Sequence, residues 1–334
     1  MPELPEVTTT INGLNKVLPK LTIKDVWSDY FLRTKNRRTD TIKNKKYFEY
    51  FKREVVGKKI KNAERRGKNI LIHLTGGRTI LIHMKMTGHL LYGKYKRISP
   101  RQDLGHSKGL ASGEIWIPVE KGFLQDSFNK FIHLIFTLSN GKHLAFSDMR
   151  KFAKVMLFET DKRDVLVDLA SLGPEPLDKT FTLKKFREIL QPTSAFGRTE
   201  SASGETQSAQ GYGGRRIKTV LMDQSVLAGI GNIYSDEILW TAGIHPERTP
   251  ASLKEKEMKG MWKAIKIILE SSIKMGGDSM SDYRNIYGEK GQFQKAHKVY
   301  RRTKEKCLKK SCGGIIQRKV IGGRSSHFCD RHQK

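Results

Sequence analysis

Four residues near the carboxy terminus have the types and spacing of a metal site. Four residues separate Cys307 from Cys312, sixteen follow before Cys329, and two separate Cys329 from His332. Thiolates and an imidazole arranged as two pairs suit one tetrahedral, structural Zn2+ with a closed Cys3His ligand set. Glycines at 313–314 and 322–323 supply turns for a basic hairpin that would bring the pairs together. His327 is the alternative fourth ligand; His332 is favoured because two-residue spacing is the common geometry. The other end of the chain is also unusual. It opens MPELPEV, with Pro2 and Pro5 three apart and Glu3 and Glu6 behind them. Proline in a first turn and acids at the positive end of a helix would start a helix. Alternatively, the amino terminus itself does chemistry.

These ends must be positioned by folded elements. Val7, Ile11, Leu14, Val17 and Leu18 recur at helical spacing and stop at Pro19, which predicts an amphipathic helix. NILIHL (69–74) and TILIHMKM (79–86) flank Gly76-Gly77 and predict a hairpin. FIHLIFTL (131–138) and KHLAFSD (142–148) flank Asn140-Gly141 and predict another. A further helix is expected near Lys184–Leu190. Beyond that the pattern is helical: Ser252 and Glu255 form an S-x-x-E capping box before the Met258–Ile273 stripe, and Gly276-Gly277 would stop the helix. The first half therefore reads as β-rich and the second as helical.

The chain has 334 residues, which favours two domains. Its 63 lysines and arginines against 34 acids give a net charge of +29, which points to a polyanionic partner and above all to nucleic acid. Membrane anchoring is not expected: no apolar run reaches the length of a span, and no basic block flanks one. The amino terminus lacks a signal-peptide layout, and three cysteines cannot pair into a disulfide framework, so a reducing, cytoplasmic setting is expected. The stretch 194–214 is rich in Gly, Ser, Thr and Gln and is expected to be a flexible linker or insert.

MPELPEV, RRGKNILIHL, HMKMTGHL, SDMRKFAK, LGPEPL, LMDQSVLAGIGNIYSDEILWTAGIHP and GGRSSHFCDRHQ, in this order, resemble the bacterial formamidopyrimidine-DNA glycosylases. The resemblance implies an α+β, two-domain fold: an amino-terminal β-sandwich with flanking helices, then a helical domain with a helix–two-turn–helix motif and a β-hairpin zinc finger. The expected boundaries are a catalytic domain over 1–193, the linker over 194–214, the helix–two-turn–helix domain over 215–297 and the finger over 298–334.

The implied activity is that of a bifunctional DNA glycosylase/AP lyase of base excision repair, acting as a monomer on damaged double-stranded DNA. Once the initiator methionine is removed, Pro2 would be the nucleophile, Glu3 the acid/base and Lys68 a cation at the phosphates beside the lesion. Met86, Arg150 and Phe152 would fill the gap left by an extruded base. Asn232, at a helix start, and Arg324, on the finger hairpin, would grip phosphates, with Lys218 and Tyr234 as further backbone contacts. Glu175 would lie near the lesion pocket. The implied substrates are oxidised purines such as 8-oxoguanine and formamidopyrimidines. Two other readings stay open. One is an endonuclease VIII-like enzyme for oxidised pyrimidines, against which PEL rather than PEG argues. The other is a catalytically silent damaged-DNA binder, against which Pro2, Glu3 and Lys68 argue. The segment 281–302 and the loop 91–114 depart from the family pattern, and the loop has no assigned role.

Overall fold

The structure, a computed structural model, describes residues 1–31, 40–98, 115–190, 214–280 and 282–334. The expected linker, apart from Gly214, and residues 99–114 of the loop without a role lie outside the described residues. The chain forms two compact units. Met1–Ala170 and Ile273–Gln294 make the first; Ser171–Ser272 and Lys295–Lys334 make the second.

The first unit runs α1 (Leu4–Val17), β1 (Ile23–Ser28), α2 (Lys45–Val55), β2 (Ile60–Arg66), β3 (Asn69–Leu74), β4 (Arg78–His83) and β5 (His89–Gly93). It continues with β6 (Tyr95–Ile98), β7 (Ile115–Pro118), β8 (Ile132–Leu138), β9 (His143–Ser147), β10 (Lys154–Glu159) and α3 (Val167–Ala170). Two antiparallel four-stranded sheets result, ordered β1-β8-β9-β5 and β10-β4-β3-β2. Period-two alternation sends Val26, Leu134, Phe136 and Phe146 from one sheet and Ile70, Ile72, Ile80 and Val155 from the other into one core. The apolar stripe of α1 and Phe48, Phe51 and Val55 of α2 close the same core. This is a β-sandwich with flanking helices, and each of these side chains contributes roughly 1.5–3 kcal/mol of burial.

Both predicted hairpins are present. The second strand of the first hairpin, expected over 79–86, ends at His83, because residues 84–88 turn to lead into the other sheet. The antiparallel β6–β7 pair lays Tyr95 and Trp116 with Trp27, Leu91, Ile135 and Ala145 in a small cluster of its own.

The second unit contains α4 (Leu183–Leu190), α5 (Ile217–Met222), α6 (Asn232–Ala242), most of α7 (Glu255–Lys274) and the hairpin β11 (Gln317–Ile321)–β12 (Arg324–Phe328). The long helix does not start on the expected Ser252–Glu255 box. Pro250 opens a short 3-10 turn through Ser252, whose hydroxyl donates to the Thr249 carbonyl at 2.8 Å. Glu255 is instead the first residue of α7, and the Lys254 N–H donates to the Glu257 carboxylate at 2.7 Å. Its end is as expected: Gly276 and Gly277 take φ values of 75° and 84°, a region that favours glycine.

Candidate functional site

Proline at the start of α1 cannot donate a hydrogen bond, and none is needed there. Glu3 is the N-cap, and Glu3 and Glu6 form a reciprocal capping box in which the Glu3 N–H donates to Glu6 Oε2 at 2.7 Å. Pro2 is buried and Glu3 is 2% exposed. The other Glu6 oxygen accepts the Asp278 N–H at 2.7 Å, and the Tyr283 hydroxyl donates to the Glu6 carbonyl at 2.9 Å. Gly277 is required at this junction, because a Cβ there would lie 2.9 Å from Glu6 Oε1. Gly277, Asp278 and Tyr283 are thus tied to the first turn of α1, an arrangement that the sequence did not reveal.

Lys68 follows Gly67, whose φ of 58° makes the β2–β3 turn. It is buried, at the end of the sheet where Lys154, His83, Asn69 and Arg66 stand side by side across four strands. Burial, reinforced by the Lys85 and Lys68 charges, pushes the His83 imidazole down to about 3. His83 is therefore a neutral ring beside Lys68 at neutral pH. Sequence reasoning passed over it as a strand residue.

Met86 and Phe152 are 39% and 48% exposed, unusual for large apolar side chains. Arg150 lies over the Phe152 ring, 4.3 Å from its centroid. The structure brings the two turns that carry these residues together: Thr87 Oγ1 accepts the Arg150 N–H at 3.2 Å and donates to the fully buried Asp148 at 2.5 Å. Asp148 belongs to the quoted motif SDMRKF, but its function there was not seen in the sequence.

In the second unit, Glu175 sits between Pro174 and Pro176 on a strap that packs on the loop before α6. The Gly173 N–H donates to Gln224 O at 2.8 Å, and the Ala228 N–H donates to Pro174 O at 3.1 Å. A Cβ on Gly173 would meet Ser225 O at 2.5 Å. Gln224 shapes that loop, donating to Met222 O and Ile230 O and accepting from Gly229 N–H. The loop delivers Gly231 as the N-cap of α6, with no side-chain cap, and so sets the positive end of the helix dipole at Asn232. Asn232 begins the helix there, and its Oδ1 is buried with no hydrogen-bond partner.

Lys218 and Tyr234 are fully buried. Lys218 Nζ donates to Asp236 Oδ1 at 2.6 Å and to the Ser325 carbonyl at 2.9 Å, and the Tyr234 hydroxyl bonds Ser272 Oγ at 2.6 Å. Asp236 also accepts from Ser326 Oγ and His327 N–H, so one carboxylate docks β12 on α6. Arg324 is exposed at the tip of that hairpin, where Gly322 and Gly323 take φ values of 56° and 72°.

The Sγ atoms of Cys307, Cys312 and Cys329 lie within 4.8 Å of one another, with Cys312 and Cys329 3.7 Å apart. Tetrahedral zinc with Zn–S bonds of about 2.3 Å separates two sulfurs by about 3.8 Å, so the donor set fits. Gly314 makes room for it: a Cβ there would lie 2.5 Å from Cys329 Sγ. Among the described residues the cluster comprises these three cysteines alone, and neither His332 nor His327 joins it. His332 Nε2 donates to the Trp240 carbonyl at 2.7 Å, which leaves Nδ1 as the nitrogen with a lone pair. His327 Nδ1 faces Asp236 Oδ2 at 3.1 Å. The site holds one structural zinc ion; the metal does not take part in the chemistry proposed below.

No helix among the described residues is long and apolar enough to cross a membrane. Family models match three stretches of the chain: the formamidopyrimidine-DNA glycosylase N-terminal domain over residues 1–155, its H2TH domain over 172–284, and the zinc finger found in FPG and IleRS over 304–333. The formamidopyrimidine-DNA glycosylase of Desulforamulus reducens is 36% identical, over 100% of this chain and 99% of that protein. A solved complex of Lactococcus lactis Fpg with DNA containing an abasic site superposes with a TM-score of 0.74 at 29% identity, covering 99% of each chain. A structure of MutM with DNA containing carbocyclic 8-oxo-G gives 0.73 at 29% identity over the full length of both.

Proposed function

The chain belongs to the formamidopyrimidine-DNA glycosylase family, and from that premise we propose how its own residues carry out glycosylase and AP lyase chemistry on oxidised purines in duplex DNA. The observation that carries the reading is the buried Glu3 carboxylate directly after the residue that becomes the chain terminus when Met1 is removed. Pro2 is then a terminal secondary amine. Amino termini titrate near 8, so a useful fraction is unprotonated at neutral pH.

Pro2 attacks C1′ of the damaged nucleotide and displaces the base. Glu3 protonates the sugar oxygen, opening the ring to an iminium. The iminium acidifies the neighbouring sugar protons, so that β- and then δ-elimination expel both phosphates. Lys68 neutralises phosphate beside the lesion. Met86, Arg150 and Phe152 occupy the space of the extruded base, an employment that suits their exposure. The glycine-capped N-terminus of α6 at Asn232 and the exposed Arg324 take backbone phosphates. Lys218 and Tyr234, being buried, support that grip from behind, Lys218 by holding the hairpin that bears Arg324. Glu175 lies on the strap that supports the α6 loop and is assigned to the lesion pocket. Cys307, Cys312, Cys329 and His332 hold the zinc. The protein acts as a monomer, in the bacterial cytosol where the DNA is.

Borohydride should trap a covalent complex between the methionine-cleaved protein and a duplex containing 8-oxoguanine. Pro2→Gly, or a tag left uncleaved on the terminus, should sharply reduce trapping. Equal trapping with a blocked terminus would overturn the proline mechanism. Duplexes each carrying one lesion type, scored for strand cleavage, rank oxidised purines against oxidised pyrimidines.

A further inference from the structure

The two turns that bear Met86 and Arg150–Phe152 share a second peculiarity. Each holds a lysine in left-handed backbone, Lys85 at φ 55° and Lys151 at φ 51°. Such conformations at residues with side chains persist only where surrounding contacts over-determine them. Those contacts converge on Asp148, which is 0% exposed. Its Oδ1 accepts from the Thr87 hydroxyl at 2.5 Å, and its Oδ2 accepts from the Tyr30 hydroxyl at 2.8 Å and the Ala153 N–H at 2.9 Å. Its carbonyl accepts the Lys151 N–H at 3.0 Å. One carboxylate therefore clamps the 84–88 turn, the 148–153 turn and the end of the segment after β1.

We propose that Asp148 is a positioning residue: it fixes the spacing between Met86 and the Arg150–Phe152 pair so that they enter the vacated base position as one rigid body. The proposal rests on the glycosylase reading and on the assignment of those three residues to the gap. Exposed side chains on independent turns would have to be ordered at every encounter, whereas a prearranged pair of turns fills the gap without that loss. Asparagine cannot replace the aspartate. It offers one acceptor oxygen: placed on Oδ1 it leaves the Ala153 N–H facing an amide NH2, and placed on Oδ2 it makes the Thr87 hydroxyl turn to accept from the NH2, so that the hydroxyl proton loses its acceptor.

The test uses the methionine-cleaved, full-length protein with Asp148→Asn. Thr87→Val serves alongside it, because it removes the hydroxyl bridge and leaves the carboxylate its bonds to Tyr30 and Ala153. Three DNAs are compared. One is a duplex with 8-oxoguanine. The second is a single strand with a preformed abasic site, which requires neither extrusion nor gap filling. The third is a duplex with 2-aminopurine opposite a tetrahydrofuran abasic analogue, whose fluorescence reads gap filling without chemistry. Both variants should lose about tenfold or more in single-turnover rate on the duplex lesion while staying within about threefold on the single strand. The fluorescence rise should shrink in parallel.

Equal losses on both cleavable DNAs would make Asp148 a purely structural residue and overturn the proposal. If the unsubstituted protein gives the fluorescence rise and the variants match it, the role of Asp148 falls and the gap-filling reading stands. If the unsubstituted protein gives no rise, the gap-filling reading falls and takes this proposal with it.

Discussion

The backbone N–H of Asp278 donates to the Glu6 carboxylate at 2.7 Å, across 272 residues of sequence. The same carboxylate accepts from Glu3 N–H, so one side chain ties the start of α1 to Asp278. Glu6→Ala should remove the carboxylate that accepts from the Glu3 and Asp278 N–H groups and destabilise the protein by roughly 2–4 kcal/mol. Urea unfolding measures this directly. A midpoint unchanged from the parent would show that the junction holds without Glu6.

The finger distinguishes its two histidines. His332→Ala should lower zinc content or affinity, whereas His327→Ala should keep one zinc per chain and loosen β12 by removing the Asp236 contact. Elemental analysis after gel filtration against a weak chelator provides the readout. Zinc lost from His327→Ala and retained in His332→Ala would reverse the assignment.

Phosphate contacts can be counted by salt. Arg324→Ala should weaken binding to any duplex sequence and flatten the plot of log affinity against log salt by about one unit of slope. Lys218→Met should not act as a simple loss of one counterion. It removes a cation that is paired internally with Asp236, so it should lower the melting temperature, and Asp236→Asn should do likewise. A Lys218→Met protein with unchanged melting temperature and a slope reduced by about one would place Lys218 on the DNA.

Acid should weaken the first unit. Burial pushes the His89 imidazole down to about 4, against about 6.5 in an unfolded chain. Between those values the unfolded chain binds the extra proton, so stability falls as the pH drops from 6.5 to 4, by up to about 3 kcal/mol for one residue. Below 4 the native ring also protonates and the slope ends. His83, held down to about 3, acts in the same direction. Urea midpoints at pH 7.5, 6 and 5 should lie closer together in His89→Gln than in the parent. An identical pH dependence in both would remove His89 from the account.

Local features were legible in the sequence. The Asn140-Gly141 and Gly76-Gly77 turns stand where they were expected because alternation and turn residues are properties of a few neighbours. The helix stripe from Val7 to Leu14 is buried for the same reason. The cysteine spacing indicated a metal cluster, because three thiols in a short basic tail have few other uses. Contacts across long loops were not legible. Asp148 reaches Thr87 over 61 residues and Tyr30 over 118, and no local pattern encodes either. The resemblance gives Lys218 only as a further contact to the DNA backbone, and nothing local in the sequence shows that Asp236, one helix later, pairs with it. Ser252 and Glu255 have the capping spacing, but Pro250 imposes its own turn and moves the helix start. The family resemblance supplied roles for Met86 and Phe152 that composition alone would have assigned to a core.

The first unit closes on itself only with Ile273–Gln294, and this sets an order of events at the ribosome. At about 5–20 residues per second, roughly 15–50 s separate synthesis of Glu6 from synthesis of its partner Asp278. Through that interval the terminal Met1-Pro2 has no latch behind it. In the finished fold Met1 is 42% exposed and Pro2 is buried, so the terminus that the proposed mechanism needs takes its final setting only once Asp278 has been made.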